Sequence, residues 1–440
     1  MPPSRVHPFS RRVLLACGLY LVVTAAMLLL APSELFRGHT RYNHFALLAE
    51  AWWRGDIALA GEPPAYAGLN DFAQHRSRWF VVFPPFPAVV VLPFVAVAGS
   101  AERVPDGLVF LWVSGLGPAL TFLALERARA EWAMGTERAS LGLALLLAFG
   151  TPYFFSAVQG TVWFAAHVVG VALMALYCYA AIGARRPFLA GAALGLAFLT
   201  RAPMLLAAPL FLLEAWRTAG CRPLDRCSGH GDPAPSTVRV RFLRSSTLFA
   251  LPLLLAMAAG AVHNLLRFGD PLEPGYQYLA VRWQARIQAW GLFHYHYLPR
   301  NLGVLLTSLP WTGDGQVPFR INGHGLALWF TSPILIWVAV RSRSPRWTRT
   351  LLVSAAAVAL PTLFYQNTGW VQFAYRFAND YVVLLVLALG SVHLRLSRPF
   401  IVAAIWSVGV NLFGALSFGR VGWEQYYFVE PTQSVLYEPD

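Results

Sequence analysis

Long, nearly uncharged apolar runs recur along this chain and decide what it can fold into. About 20 such residues cross a bilayer as a helix, and many stretches here reach 16 or more. Hydrophobic residues make up 57% of the 440 positions and charged residues 12%, roughly half the charged share of a soluble domain. A water-soluble interior has no room for that much apolar surface, so lipid is the solvent for most of the chain. Backbone groups in hydrocarbon must be satisfied within the protein, which points to an all-α, polytopic transmembrane helical bundle.

The formal charge of +13 comes from 34 basic residues, all of them arginine. They crowd the short loops between apolar runs, which is a topology signal and argues against nucleic-acid binding. Four cysteines supply no disulfide framework. Cys221 and Cys227 with nearby His230 lack a second pair of metal ligands. Residues 1–12, followed by a long apolar run without a small-residue cleavage site, read as the lead-in to an uncleaved first span.

Spans are expected near Val13–Ala31, Gly107–Leu125, Ser140–Val158, Thr161–Ile182, Ser246–Val262, His324–Val340, Leu351–Gln366, Phe377–His393 and Pro399–Phe418. Val81–Gly99 carries four prolines and is read as interfacial or re-entrant. Phe188–Trp216 is too long for one span, is broken at Thr200-Arg201-Ala202-Pro203, and is read as a hairpin of two half-helices. With both choices the inside segments hold 20 arginines in 73 residues and the opposite side 13 in about twice that length. The expectation is one integral membrane domain over 1–440 with about eleven membrane helices and a cytoplasmic N-terminus. A basic cytoplasmic loop covers 217–244, and two large outer loops cover 32–106 and 263–323. Loops of such length are uncommon without a task.

In the first outer loop, Arg41–Ile57 (RYNHFALLAEAWWRGDI) places Phe45, Leu48, Ala49 and Trp52 at helical spacing, as an amphipathic interfacial helix anchored by Trp52 and Trp53 would. Asn70-Asp71 follows, then the aromatic-Pro-Pro segment that starts at Arg78, then a second interfacial helix. Further on stand Gly191–Arg201 (GAALGLAFLTR) and Gln372–Tyr381 (QFAYRFANDY). This order resembles the GT-C superfamily of polyprenyl-phosphate-sugar-dependent membrane glycosyltransferases. Its nearest likeness is the family 39-like branch of protein O-mannosyltransferases and the aminoarabinose transferase of lipid A. The family usually carries a catalytic acid at the start of the surface helix. Here Thr40 and Arg41 stand at that place.

Sugar transfer from a lipid phosphate needs a carboxylate to accept the acceptor's proton, cations for the departing phosphate and an apolar groove for the prenyl tail. Asp71 and Asp56 are the catalytic candidates, against the plainer readings of a loop turn and a helix-end turn. Arg376, Arg201, Asp380 and Arg78 form the donor-binding set. Arg376 and Asp380 also read as an ion pair at i,i+4 at a helix start, and Arg201 as a cation that must pair or line a cavity at its depth. Asn43, His44, Tyr276 and His294 are candidate sugar or acceptor contacts, and otherwise interfacial residues.

The resemblance implies a transferase using a polyprenyl-phosphate sugar donor and an envelope acceptor on the periplasmic face of a bacterial inner membrane. It needs no cofactor. A divalent metal is compatible with such chemistry but has no ligand set in the sequence. A transporter of lipid-linked glycans or small solutes, or a noncatalytic subunit of an envelope assembly, remains the alternative.

Overall fold

Where apolar runs are free of proline they form long helices, and where proline or glycine interrupts them they break. The computed structural model describes residues 8–133, 135–220, 234–281, 283–313, 315–340, 346–392 and 396–428. Cys221, Cys227, His230, His393 and residues 221–233 of the basic loop 217–244 lie outside the described residues. The chain is an all-α polytopic membrane protein. Among the described residues five helices are long and apolar enough to cross a membrane: Arg11–Leu30, Asp106–Trp132, Val162–Ala184, Pro235–Phe268 and Arg398–Ser417. Four shorter apolar helices accompany them: Phe86–Ala98, Pro187–Phe198, Trp347–Leu363 and Val382–Ser391.

The helix Val162–Ala181 is the axis of the bundle. It is apolar around its whole circumference and buried almost throughout, as a helix surrounded by other helices must be. Pro235–Phe268 is its opposite: it buries only Phe249, Pro252, Leu253, Arg267 and Phe268 and turns leucines outward. It is held by Pro187–Phe198 through two glycines four residues apart. A Cβ on Gly191 would stand 1.9 Å from the Phe249 carbonyl oxygen, and one on Gly195 would stand 2.6 Å from Ala256 Cβ. Small residues let membrane helices approach backbone to backbone in this way.

Several sequence expectations change. Phe188–Trp216 breaks where expected, into Pro187–Phe198, a 3-10 turn Ala202–Ala207 and Ala208–Gly220. His324–Val340 is no continuous span. Its start follows strand Phe319–Asn322, Gly325 takes φ +81°, and Ser332-Pro333 separates Leu328–Thr331 from Pro333–Ile336. Ser140–Val158 is split at Gly150–Pro152 into Glu137–Phe149 and Tyr153–Ala157. The expected interfacial helix is His44–Trp53, and it is no amphipathic surface element, because seven of its ten residues are buried. It lies against Phe86–Ala98 and the hairpin Phe72–His75/Arg78–Val81, so both of its faces are covered. Trp53 alone keeps the anchor position, 57% exposed.

At the end of the bundle where the basic loops gather, buried acids hold the arginines. Glu126 accepts hydrogen bonds from Arg129 (2.6 and 2.9 Å) and Ser140 (2.9 Å) and pairs with Arg12. Glu131 pairs with Arg185, and Glu214 accepts from Arg217 and from the Gly183 amide. These carboxylates fasten five helices at one end and leave the other end to the site.

The glycine contacts give opposite expectations for one chemical change. Gly191→Ala must push Pro235–Phe268 away and cost about 1–3 kcal/mol. Gly142→Ala, whose Cβ meets nothing within 4 Å, gains helix propensity of up to about 1 kcal/mol. Thermal unfolding of the two purified variants should move in opposite directions; equal shifts would refute the close-packing account.

Candidate active site

A cavity of about 1500 Å³ opens beside the exposed helix Pro235–Phe268, where five separately formed breaks in regular structure meet. These are the turn at Asn70-Asp71, the Phe83-Pro84-Pro85 segment, the helix break at Leu199–Pro203, the stretch Thr362–Asn367, and the approach to Arg376. Its walls are mostly apolar, including Leu254, Met257, Ala258 and Ala261. Among the charged residues that line it, four are arginines (Arg201, Arg267, Arg286, Arg376) and one is acidic, Asp71.

Asp71 is presented by a turn that its neighbours keep fixed. Its φ is +61°, a left-handed conformation that Asp and Asn tolerate better than most residues. His44 Nε2–H donates to the Asn70 carbonyl at 2.8 Å, and its ring stacks on Phe72 at 4.2 Å. Burial lowers the His44 pKa to about 4, so it stays neutral and serves as a prop. From the bundle axis, Trp163 Nε1–H donates to Asp71 Oδ2 at 2.8 Å. Burial raises the Asp71 pKa above the usual carboxylate value, while the Trp163 hydrogen bond and the nearby Arg376 charge work against it.

The two arginines differ in how they are held. Arg201, at the helix break, makes a two-point pair with Asp380: Nε to Oδ1 at 2.9 Å and Nη2 to Oδ2 at 2.8 Å. His167 lies 3.1 Å from the same carboxylate. Arg376 makes no ion pair with Asp380, contrary to the i,i+4 expectation. Residues Arg376–Asp380 form a 3-10 turn, and with three residues per turn positions four apart point about 120° away from each other. The Arg376 guanidinium instead lies over Phe164 at 5.2 Å and Phe377 at 5.7 Å, with one long bond to the Val371 carbonyl at 3.4 Å. Its Nε is buried without a hydrogen-bond partner among the described residues, and the side chain is 5% exposed.

The structure therefore brings Asp71, Arg201, Arg376 and Tyr276 into one cavity, with Asp380 directly behind it. Other candidates lie elsewhere. Asp56 and Arg78 pair with each other at the surface, both about half exposed. Asp56 also accepts from the Ile57 and Ala58 amides, which hold its pKa below normal; it is the helix-end turn residue. Asn43 is buried and accepts from the Tyr66 hydroxyl, and His44 is fully buried behind the turn, so neither reaches a ligand in the cavity. His294 packs against Trp290 and Tyr295, away from the cavity lining.

Sequence reasoning missed Trp163, Tyr365, Arg267 and Arg286. Arg267 donates to the Val81 carbonyl at 2.6 Å and to Asn264 at 2.7 Å, joining the two long loops; its place beside the end of an apolar run was the available signal. Among the described residues, no group of three or more His, Cys, Asp or Glu is arranged to hold a metal ion.

No family profile and no curated protein matches the chain. Among solved structures, the Archaeoglobus fulgidus oligosaccharyltransferase tethered with an acceptor peptide is 15% identical over 91% of this chain and 55% of its own, with a TM-score of 0.46. The archaeal oligosaccharyltransferase AglB from Archaeoglobus fulgidus, in complex with an inhibitory peptide and a dolichol-phosphate, is 12% identical over 94% and 56%, with a TM-score of 0.44. The chain spans little more than half the length of these proteins. The functional reading below rests on the cavity itself.

The raised Asp71 pKa means that the folded state disfavours the ionised carboxyl. At neutral pH its charge lowers stability, and neutralising it should restore that loss. Asp71→Asn, which also tolerates the left-handed turn, should therefore raise the melting temperature at pH 7; a lower one would contradict the buried-charge description.

Proposed function

We propose that this protein is a GT-C-type membrane glycosyltransferase that moves a sugar from a polyprenyl-phosphate donor to an acceptor. The observation carrying this reading is that one carboxylate, Asp71, and one buried guanidinium with no ion-pair partner among the described residues, Arg376, line the same large cavity, walled by an outward-facing helix. Asp71 takes the proton from the acceptor's nucleophile. Arg376 and Arg201 hold the phosphate, Asp380 keeps Arg201 in place, and Tyr276 contacts the sugar. The apolar stretch Leu254–Ala261 receives the prenyl chain, whose tail reaches lipid beside that helix. The arginine distribution supports a cavity on the periplasmic face of a bacterial inner membrane, with an envelope molecule as acceptor. The chemistry needs no cofactor, since the lipid phosphate is the leaving group.

A transporter would also explain charged groups within the bundle, and the Arg201–Asp380–His167 cluster is of that kind. Release of free polyprenyl phosphate in step with sugar transfer separates the two. In purified protein, Asp71→Asn should lower turnover by about 100-fold or more while the variant stays folded; full activity would remove Asp71 from the mechanism.

The pH profile tests the electrostatics. Asp71 must be ionised to act as base, so activity is present above its folded pKa and is lost as pH falls through it. Arg376 and Trp163 both hold that pKa down. The acid limb should therefore move to higher pH in Arg376→Ala and in Trp163→Phe, and an unmoved limb in both would refute the assignment.

A further inference from the structure

Tyr365 follows the C-terminus of helix Arg346–Leu363, where a helix leaves its last carbonyls unsatisfied. Every carbonyl from residue 363 to 366 is taken by the loop opposite. Asn301 Nδ2 donates to Leu363 O at 2.9 Å and to Tyr365 O at 2.8 Å. The His294 amide donates to Phe364 O at 2.8 Å, and the Arg286 and Arg300 guanidinium groups donate to Gln366 O. The helix that supplies Arg300 and Asn301, Leu298–Thr307, turns these polar residues inward and leaves Leu306 53% exposed. Its polarity is inverted for a surface helix, and both inward groups donate to this one short segment.

What the segment holds is the Tyr365 side chain, in the cavity wall. Its ring meets Phe377 edge-on at 6.1 Å and Phe293 at 5.5 Å. It shares that wall with Asp71, Arg201, Tyr276 and Arg376. Tyr365 thus lines the same cavity as the acid and the cations, fixed from behind by its own backbone.

We propose that Tyr365 is a catalytic hydrogen-bond donor to the phosphate oxygen that leaves the sugar, and that Asn301 is the residue that positions it. This rests on the glycosyl-transfer reading above. In that reaction the acceptor atom bonds to the anomeric carbon and gives its proton to Asp71. The bond from that carbon to the phosphate oxygen breaks, and its electron pair stays on the oxygen. A phosphodiester with one negative charge becomes a phosphomonoester with two. The Tyr365 hydroxyl has one hydrogen to offer the new charge, and Tyr365 keeps its proton throughout. A donor that binds the developing oxyanion more strongly than the starting ester lowers the barrier.

The test compares the full-length protein in detergent with Tyr365→Phe and Asn301→Ala at about pH 8, where a phosphomonoester carries nearly two charges. The probes are a long-chain polyprenyl phosphate, its methyl phosphodiester and the parent polyprenol, with binding read from the fluorescence of the cavity residues Trp163, Trp283 and Trp370. Tyr365→Phe should weaken the monoester by about tenfold, the value of one charge-assisted hydrogen bond, and the diester much less. Asn301→Ala should show the same selectivity in smaller degree. Equal losses on both esters in Tyr365→Phe, or none, would overturn the proposal. Wild-type protein that binds the monoester no better than the polyprenol would instead sink the glycosyl-transfer reading.

Discussion

A carboxylate sealed from water needs its positive charge supplied from within, and Asp380, with no solvent exposure, sets that requirement for the whole bundle. It is met by Arg201, 179 residues away in sequence, with His167 beside it. The pair joins the break after Pro187–Phe198, the axial helix Val162–Ala181 and the turn that leads into Val382–Ser391. Removing one partner from such a pair costs about 3–5 kcal/mol, because the other charge is left buried. Interrupted helices are costly in lipid for the same reason, since each break frees backbone groups. Here the breaks gather around a mostly apolar cavity with a few charged groups in its wall.

The two long loops belong to the same economy of polar groups. Arg267 takes the Val81 carbonyl and ties the second loop to the first. Asn301, Arg300 and Arg286 take the carbonyls at the end of helix Arg346–Leu363. The loops are thereby ordered by hydrogen bonds to the ends of helices, and the turn that carries Asp71 is braced from the opposite side by His44 and Trp163.

Apolar length made the helical class legible, and Pro203 beside Arg201 made the hairpin break legible, because both depend on local chain chemistry. Asp71 was legible as an Asn-Asp turn before an aromatic segment, and it proved to be both a turn residue and a cavity residue. Arg201 was legible as a cation in need of a partner, but its partner was not, since nothing local marks Asp380 as facing Arg201 and not Arg376. That choice follows from the 3-10 geometry of residues 376–380, which the apolar pattern around them does not encode. The helix His44–Trp53 carries a surface pattern and is nonetheless buried, because the covering hairpin returns from residues 72–81. Trp163 and Tyr365 gave no signal, being aromatic residues near span ends, where lipid anchoring is the ordinary explanation.

The two arginines of the cavity have different capacities as a consequence of their partners. Arg201 is neutralised by Asp380 and fixed in direction, so it contributes orientation more than net charge. Among the described residues Arg376 meets aromatic faces and a long carbonyl contact; it cannot shed its proton and keeps its full charge in a low-dielectric wall. Asp71 holds the opposite charge in the same cavity without an ion pair to it, so the site contains a standing separation of charge. In the proposed reaction the acceptor's proton neutralises Asp71 while the phosphate gains a second negative charge beside Arg376 and Tyr365. One unit of negative charge therefore moves across the cavity from the acid towards the cations, along the field that the folded protein already maintains.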